Sequence, residues 1–356
     1  MWGEREATRA RWMVRCRWSP VFAAALVLSC AWCAHAAPSP EDTLFIPGTV
    51  PYDTKGNKVE AHGGGMLQAN GLYYWVGEGA KYSASIISKS INLYSSPDLA
   101  TWTFEGAILT GDQIKGMPFP APYRIERPKI LWNAQTQHYV LFFHCDTPEF
   151  AYPAVGIARS QNITGPYTWV RVFKPDGEDS YDMTAYVDTD GTGYLIRSVG
   201  NVFLGISALT SDFLDTTGIC SWGPRGEGPA LFRAGDMSYM LMSGLTGWSP
   251  NPAALVSTVA PRLCGAWWVR QPNPATTEGG NTTFNSQSTA VLPLKLGDGS
   301  TLFIYMGDRW NFQGPGSTYN ASYVWLPLLP RSGGQGFQIL NGPFKDPNVY
   351  TDGRRP

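Results

Sequence analysis

A polar residue that opens an apolar run, followed 11 to 16 residues later by an aromatic in a second apolar run, occurs five times in this chain. The clearest copy is Gly226-Glu227-Gly228-Pro229-Ala230-Leu231-Phe232, where one carboxylate stands among two glycines and a proline, with Tyr239 twelve residues on. Glu126 lies 13 residues before Tyr139, Asp182 lies 12 before Tyr194, Gln287 lies 16 before Phe303, and His62 lies 11 before Tyr73. Turn signals separate the two runs of each copy: Asn70-Gly71, Asn133-Ala134, Asp190-Gly191, Ala234-Gly235-Asp236 and Asp298-Gly299. Each copy therefore reads as a hairpin with a polar residue at the start of its first strand. A third run follows each hairpin, at Tyr94-Ser95-Ser96, Ile157-Ala158-Arg159, Ile206-Ser207-Ala208, Leu255-Val256-Ser257 and Tyr323-Val324-Trp325.

Helical periodicity is scarce, and short runs split by turn residues indicate an all-β chain. Five units of about four strands each predict a five-bladed β-propeller. Such a ring points the first strand of every unit at one axis, which would gather Glu126, Asp182, Glu227 and Gln287. Residues 37–50 read as a lead-in, residues 37–356 as one propeller domain, and the segment from Arg331 onward as closing strand material.

The first 36 residues have the layout of a secretory signal: arginines at 5, 9, 11, 15 and 17, an apolar run from Val21 to Cys33, and Ala34-His35-Ala36. The expectation is a secreted, extracellular protein. Three sequons, at Asn162, Asn281 and Asn320, fit that compartment. Of the cysteines outside the leader, Cys220 and Cys264 occupy comparable positions in consecutive units and are expected to pair, leaving Cys145 buried and free.

Several function classes are excluded. The formal net charge of −1 gives no basic patch for nucleic acid or an anionic membrane. The four histidines and the remaining cysteines lack metal-ligand spacing, so no metal is expected. Neither a phosphate-binding loop, nor a dinucleotide fingerprint, nor a Gly-x-Ser-x-Gly elbow is present, so no cofactor is expected. Convergent carboxylates instead suit glycosidic hydrolysis, in which one carboxylic acid protonates the leaving oxygen. In the inverting form a second group activates water about 6.5–9.5 Å away. A third carboxylate beside the acid would keep it protonated. Taken singly, each of these residues is more often a solvated or capping group; the argument rests on their meeting in one repeat.

Glu126-Arg127-Pro128-Lys129, Ser180-Tyr181-Asp182-Met183-Thr184, Glu227-Gly228-Pro229-Ala230, Phe284-Asn285-Ser286-Gln287-Ser288 and Met306-Gly307-Asp308-Arg309-Trp310 together resemble glycoside hydrolase family 43, most closely its exo-β-1,3-galactanase branch. The resemblance runs from about residue 45 to 330. It implies a five-bladed propeller, inversion, and release of galactose from the non-reducing end of β-1,3-galactan. It makes Glu227 the general acid and Asp182 the group that tunes and orients it. Most members of the broad family carry an aspartate base on the first blade, where this chain has Ala61-His62-Gly63-Gly64-Gly65. The galactanase branch shares that absence; there a glutamine matching Gln287 holds the water and a glutamate matching Glu126 contributes. The base role stays open between Gln287 and Glu126.

Sugar contacts are expected from Glu78, Arg127, Trp248, Asp308 and Trp310, whose flat rings and charged groups suit a pyranose and its hydroxyls. The expected partner is a β-1,3-linked galactan or arabinogalactan, acted on by a monomer. The competing readings are an arabinofuranosidase or xylosidase of the same family, and a carbohydrate-binding propeller without turnover.

Overall fold

The computed structural model describes residues 43–79, 87–259, 263–276, 279–310, 320–332, 336–342 and 344–345. The expected leader lies outside them. A short strand, β1 (Thr43–Phe45), precedes blade one, which consists of β2 (His62–Ala69), β3 (Leu72–Glu78), β4 (Ser90–Ser96) and β5 (Thr103–Thr110). Blade two is β6 (Arg124–Asn133), β7 (His138–Asp146), β8 (Ala154–Ser160) and β9 (Thr168–Phe173). Blade three is β10 (Met183–Val187), β11 (Gly193–Val199), β12 (Phe203–Leu209) and β13 (Thr216–Arg225). Blade four is β14 (Glu227–Ala234), β15 (Met237–Ser243), β16 (Ala254–Thr258) and β17 (Trp268–Gln271). Blade five is β18 (Gln287–Lys295), β19 (Thr301–Arg309), β20 (Ser322–Pro330) and β21 (Phe337–Ile339), and β22 (Phe344–Lys345) follows. Every blade is an antiparallel meander, so the fold is the expected five-bladed β-propeller.

The near-continuous apolar second strands, such as His138–Asp146 with Val140, Leu141, Phe142 and Phe143 all buried, reflect sheets covered on both faces. Side chains alternate across a strand. Leu141 and Phe143 therefore pack toward blade one, while Val140 and Phe142 pack toward blade three. Five apolar clusters result, one at each blade interface. The interface that closes the ring, between blades five and one, is built on Trp75, Trp102, Tyr323 and Trp325. Burying each such ring stabilises the closure by about 1.5–3 kcal/mol.

The chain ends reinforce the same seam. β1 pairs antiparallel with β22, and Gly48 N–H donates to the Tyr323 carbonyl at 2.6 Å. The Tyr323 hydroxyl donates to the Val59 carbonyl and accepts from Ala61 N–H, each at 2.8 Å. The C-terminal segment thus supplies the outer strand of blade five and the partner of β1, as expected. Cys220 and Cys264 form a disulfide that ties β13 of blade three to the segment before β17 of blade four, while Cys145 is buried and free.

Candidate active site

The polar residue of each repeat stands at or beside the start of its innermost strand. His62, Glu227 and Gln287 are the first residues of β2, β14 and β18; Glu126 is the third of β6; Asp182 directly precedes β10. A bulge follows in four blades, with the register shifting between His62 and Gly65, Glu126 and Lys129, Glu227 and Ala230, and Ser288 and Ala290. In three of them the residue after the polar one has a positive φ: Gly63 at 59°, Arg127 at 56° and Gly228 at 59°. The bulges re-aim the strand openings toward the axis.

The result is a cavity of about 320 Å³ lined by Glu78, Glu126, Arg127, Asp182, Glu227, Gln287, Trp248 and Trp310, together with His144, Phe150, Tyr181, Asn201 and Gly247. All the expected site residues except Asp308 face it. Asp308 sits behind Gln287, opposite it in register. Its carboxylate bonds His62 Nδ1 and accepts from Gly63 N–H, each at 2.8 Å, and it borders only a small adjoining cleft with Trp248, Gln287 and Trp310.

Arg127 is the hub. A non-glycine residue in the left-handed region costs of order 1–3 kcal/mol, and here four partners hold it. Its N–H donates to Glu78 Oε1 at 3.2 Å, and its guanidinium pairs with Asp182 Oδ2 at 2.7 Å. The guanidinium also donates to the Ser288 carbonyl at 3.1 Å and to Gln287 Oε1. Glu78 answers the missing first-blade carboxylate. It lies opposite His62 in register, and a Cβ on Gly63 would stand 2.3 Å from its Oε1. A side chain at that slot would push the carboxylate aside, and the φ of 59° itself favours glycine.

Glu227 is pushed up to about 8. Burial is the largest cause, and the Asp182 charge adds to it; Arg127 and a hydrogen bond from Gln287 oppose, and Glu126 adds a smaller upward push. Asp182 also accepts from Gly228 N–H at 3.1 Å, which fixes it against the strand that carries Glu227. Glu227 is therefore a carboxylic acid at neutral pH, as a general acid requires.

The Gln287 amide is engaged on both sides. Oε1 accepts from Arg127 and from Trp310 Nε1 at 2.8 Å; Nε2 donates to Ser243 Oγ at 2.9 Å and to Glu227 Oε1 at 3.2 Å. Gln287 thus stands beside Glu227. Glu126, on blade two, is separated from Glu227 by the whole of blade three. It accepts from Arg124 Nη1 at 3.1 Å and faces His144 Nδ1 at 3.2 Å, and His144 Nε2 reaches Asp146 Oδ2 at 3.3 Å. Burial works against a charged His144, but its hydrogen bonds to Asp146 and Glu126 prevail and raise it to about 9.

Phe150, Tyr181, Trp248 and Trp310 give the cavity its aromatic walls. Trp310 is 6% exposed and Trp248 half-buried, with their rings edge-on at 5.1 Å. Trp310 therefore both packs and lines. His144, Ser243, Tyr181, Phe150 and Asn201 were not singled out from sequence. Hairpin register alone misses two of them by one residue: continued from Asn133 and His138 it opposes Cys145 to Glu126, and continued from Ala234 and Met237 it opposes Gly244 to Glu227, whereas the bulges bring His144 and Ser243 to those places. Among the described residues no cluster of three or more His, Cys, Asp or Glu is suited to a metal ion.

A propeller whose axial cavity pairs a protonated glutamate with a second carboxylate on a non-adjacent blade, between aromatic walls, defines a glycosidase. No family model matches the sequence, and no curated protein matches it. Solved structures do. A family 43 β-1,3-galactosidase with galactodeoxynojirimycin is 31% identical, with a TM-score of 0.75 over 84% of this chain and 99% of that one. An exo-β-1,3-galactanase variant from Phanerochaete chrysosporium with β-1,3-galactotriose is 30% identical, TM-score 0.74, over 84% of this chain and 67% of that one. An exo-β-1,3-galactanase from Clostridium thermocellum is 30% identical, TM-score 0.74, over 85% of this chain and 67% of that one. The chain belongs to glycoside hydrolase family 43.

Proposed function

We propose that this enzyme is an exo-acting β-1,3-galactan hydrolase that releases galactose from the non-reducing end with inversion. The observation that carries the reading is Glu227, held protonated to about pH 8 in a cavity of about 320 Å³ whose walls include the buried Glu78, Glu126, Arg127 and Gln287. The kinship with structures that hold β-1,3-galactotriose supports galactan as the polymer. The Glu227 proton passes to the glycosidic oxygen as the bond from that oxygen to C1 breaks. A water oxygen bonds to C1 from the opposite face and gives its proton to a base.

We assign the base to Glu126. Gln287 stands on the acid's side, bonded to Glu227, and two donors already occupy its Oε1, which disfavours an imidic O–H there. Gln287 instead orients Glu227 and Arg127. Asp182 raises and orients the acid. Glu78, Trp248 and Trp310 contact the terminal sugar, while Asp308 acts through His62 and the Gly63 N–H. The leader and the Cys220–Cys264 bridge support action outside the cell. The test is a substrate panel: β-1,3-galactan beside aryl β-xylosides and aryl α-arabinofuranosides. Galactose release from galactan alone is the expected result; turnover of an arabinofuranoside or xyloside in its place overturns the reading.

A further inference from the structure

One corner of the cavity mouth carries exposed apolar surface that cleavage of the terminal bond leaves unused. In blade three the antiparallel order puts the end of β11, the start of β12 and the end of β13 on the same face of the ring as Asp182 and Glu227. Three large apolar residues are exposed there: Val202 at 39%, Phe203 at 50% and Trp222 at 53%.

This corner is continuous with the cavity. Asn201, next to Val202, lines it, and the Val202 carbonyl accepts from Gly226 N–H at 3.1 Å, one residue before Glu227. Phe203 and Gly205 share a face of β12, and Gly205 pairs with Trp222. A Cβ built on Gly205 would stand 3.6 Å from the Trp222 ring. Val199 Cγ2, 2.8 Å from that Cβ, fills the space over the glycine, so Phe203, Val199 and Trp222 make one apolar strip on this face, with Phe203 about 7 Å along the strand from Gly205.

Large exposed apolar residues gathered at a site mouth mark binding surface. The chemistry of cleavage says what covers this one. Glu227 protonates the oxygen that joins the terminal sugar to the next, so the rest of the polymer begins at Glu227 and leaves across the mouth. Trp222 lies five residues before Glu227 on the segment that leads into it. A neutral galactan presents faces of C–H groups, which suit uncharged aromatic rings.

We propose that Phe203 and Trp222 form a platform for the polymer on the leaving-group side, so that the enzyme favours long chains over short ones. The proposal rests on the β-1,3-galactan reading. The test compares wild type, Phe203→Ala, Trp222→Ala and Trp222→Tyr on β-1,3-galactobiose and on long β-1,3-galactan. Both alanine variants should stay within about twofold of wild type on the disaccharide, with unchanged melting midpoints. On the polymer kcat/KM should fall about tenfold, carried by KM, for loss of a contact of ~1.4 kcal/mol. Trp222→Tyr should retain most of the polymer activity. Equal losses on the two substrates, or polymer kinetics that do not change, overturn the platform. Failure of the wild type to release galactose from either substrate would instead overturn the parent reading.

Discussion

Replacing Asp182 with asparagine isolates one cause of Glu227's protonation. Asparagine keeps the shape and the oxygen that accepts from Gly228 N–H at 3.1 Å. It deletes the charge that, after burial, does most to hold Glu227 at about 8, and it removes the largest of the negative charges that oppose Arg127 beside the acid. Both changes move Glu227 down. At pH 7 a carboxyl with a pKa near 8 is ~90% protonated, while one at the ordinary 4.5 is ~0.3% protonated, a ratio of about 300. Burial persists in the variant, so the loss at pH 7 should lie between a few-fold and about 300-fold. At pH 5 it should shrink to about fourfold or less, because even an unperturbed acid is then partly protonated. The assay is galactose release from β-1,3-galactobiose between pH 4 and 9. The wild-type alkaline limb should fall near pH 8, and the variant's limb should move to lower pH with KM little changed. An alkaline limb that stays in place, or a loss of one size at every pH, refutes the reasoning.

The two sides of the reaction separate by leaving group. Glu227→Gln should slow galactobiose cleavage by roughly 10²–10⁴-fold and an aryl galactoside far less, whereas Glu126→Gln should slow both alike. Gln287→Ala strands buried donors of Arg127 and Trp310 and loosens Glu227; a loss of about 10–100-fold should follow, with the leaving-group dependence of the acid variant. Equal losses on both substrates in Gln287→Ala would transfer the water-holding role to Gln287. For His144 the folded-state value is raised from 6.5 to about 9, so its stabilisation is complete below about pH 6.5 and disappears as pH rises through about 9. Thermal melts of His144→Gln should therefore fall below wild type at pH 6 and approach it above pH 9; a gap that widens with pH would contradict the pairing. Replacing both Cys220 and Cys264 with serine should cost roughly 2–4 kcal/mol of stability, and an unchanged melting midpoint would show that the bridge constrains nothing.

The ring and its inward-facing groups were legible because a propeller repeats its local pattern. Polar openings at His62, Glu126, Asp182, Glu227 and Gln287, each followed by a hairpin, reveal inner strands without any long-range information. The second rank of residues was not legible in the same way. His144 is held between Glu126 and Asp146, and Ser243 against Gln287, through contacts that depend on strand register and on bulges; Glu78 was expected at the site, but its place above Gly63 was not. Asp308 was expected against the sugar and lies behind Gln287, because register sends it toward His62 and Gly63 N–H. The left-handed backbone at Arg127 had no sequence signature, since blades one and four use glycine at the same step, Gly63 and Gly228. That substitution lets one blade send a guanidinium across to Asp182 and Gln287.

The most direct test of the central claim is the proton NMR spectrum of the sugar released during the first minutes of incubation with β-1,3-galactan. The account predicts free galactose as the small product, appearing first as the α-anomer and mutarotating afterwards, with the signal all but abolished in Glu227→Gln. β-Galactose as the first product, oligosaccharides in place of galactose, or full activity in Glu227→Gln would contradict it.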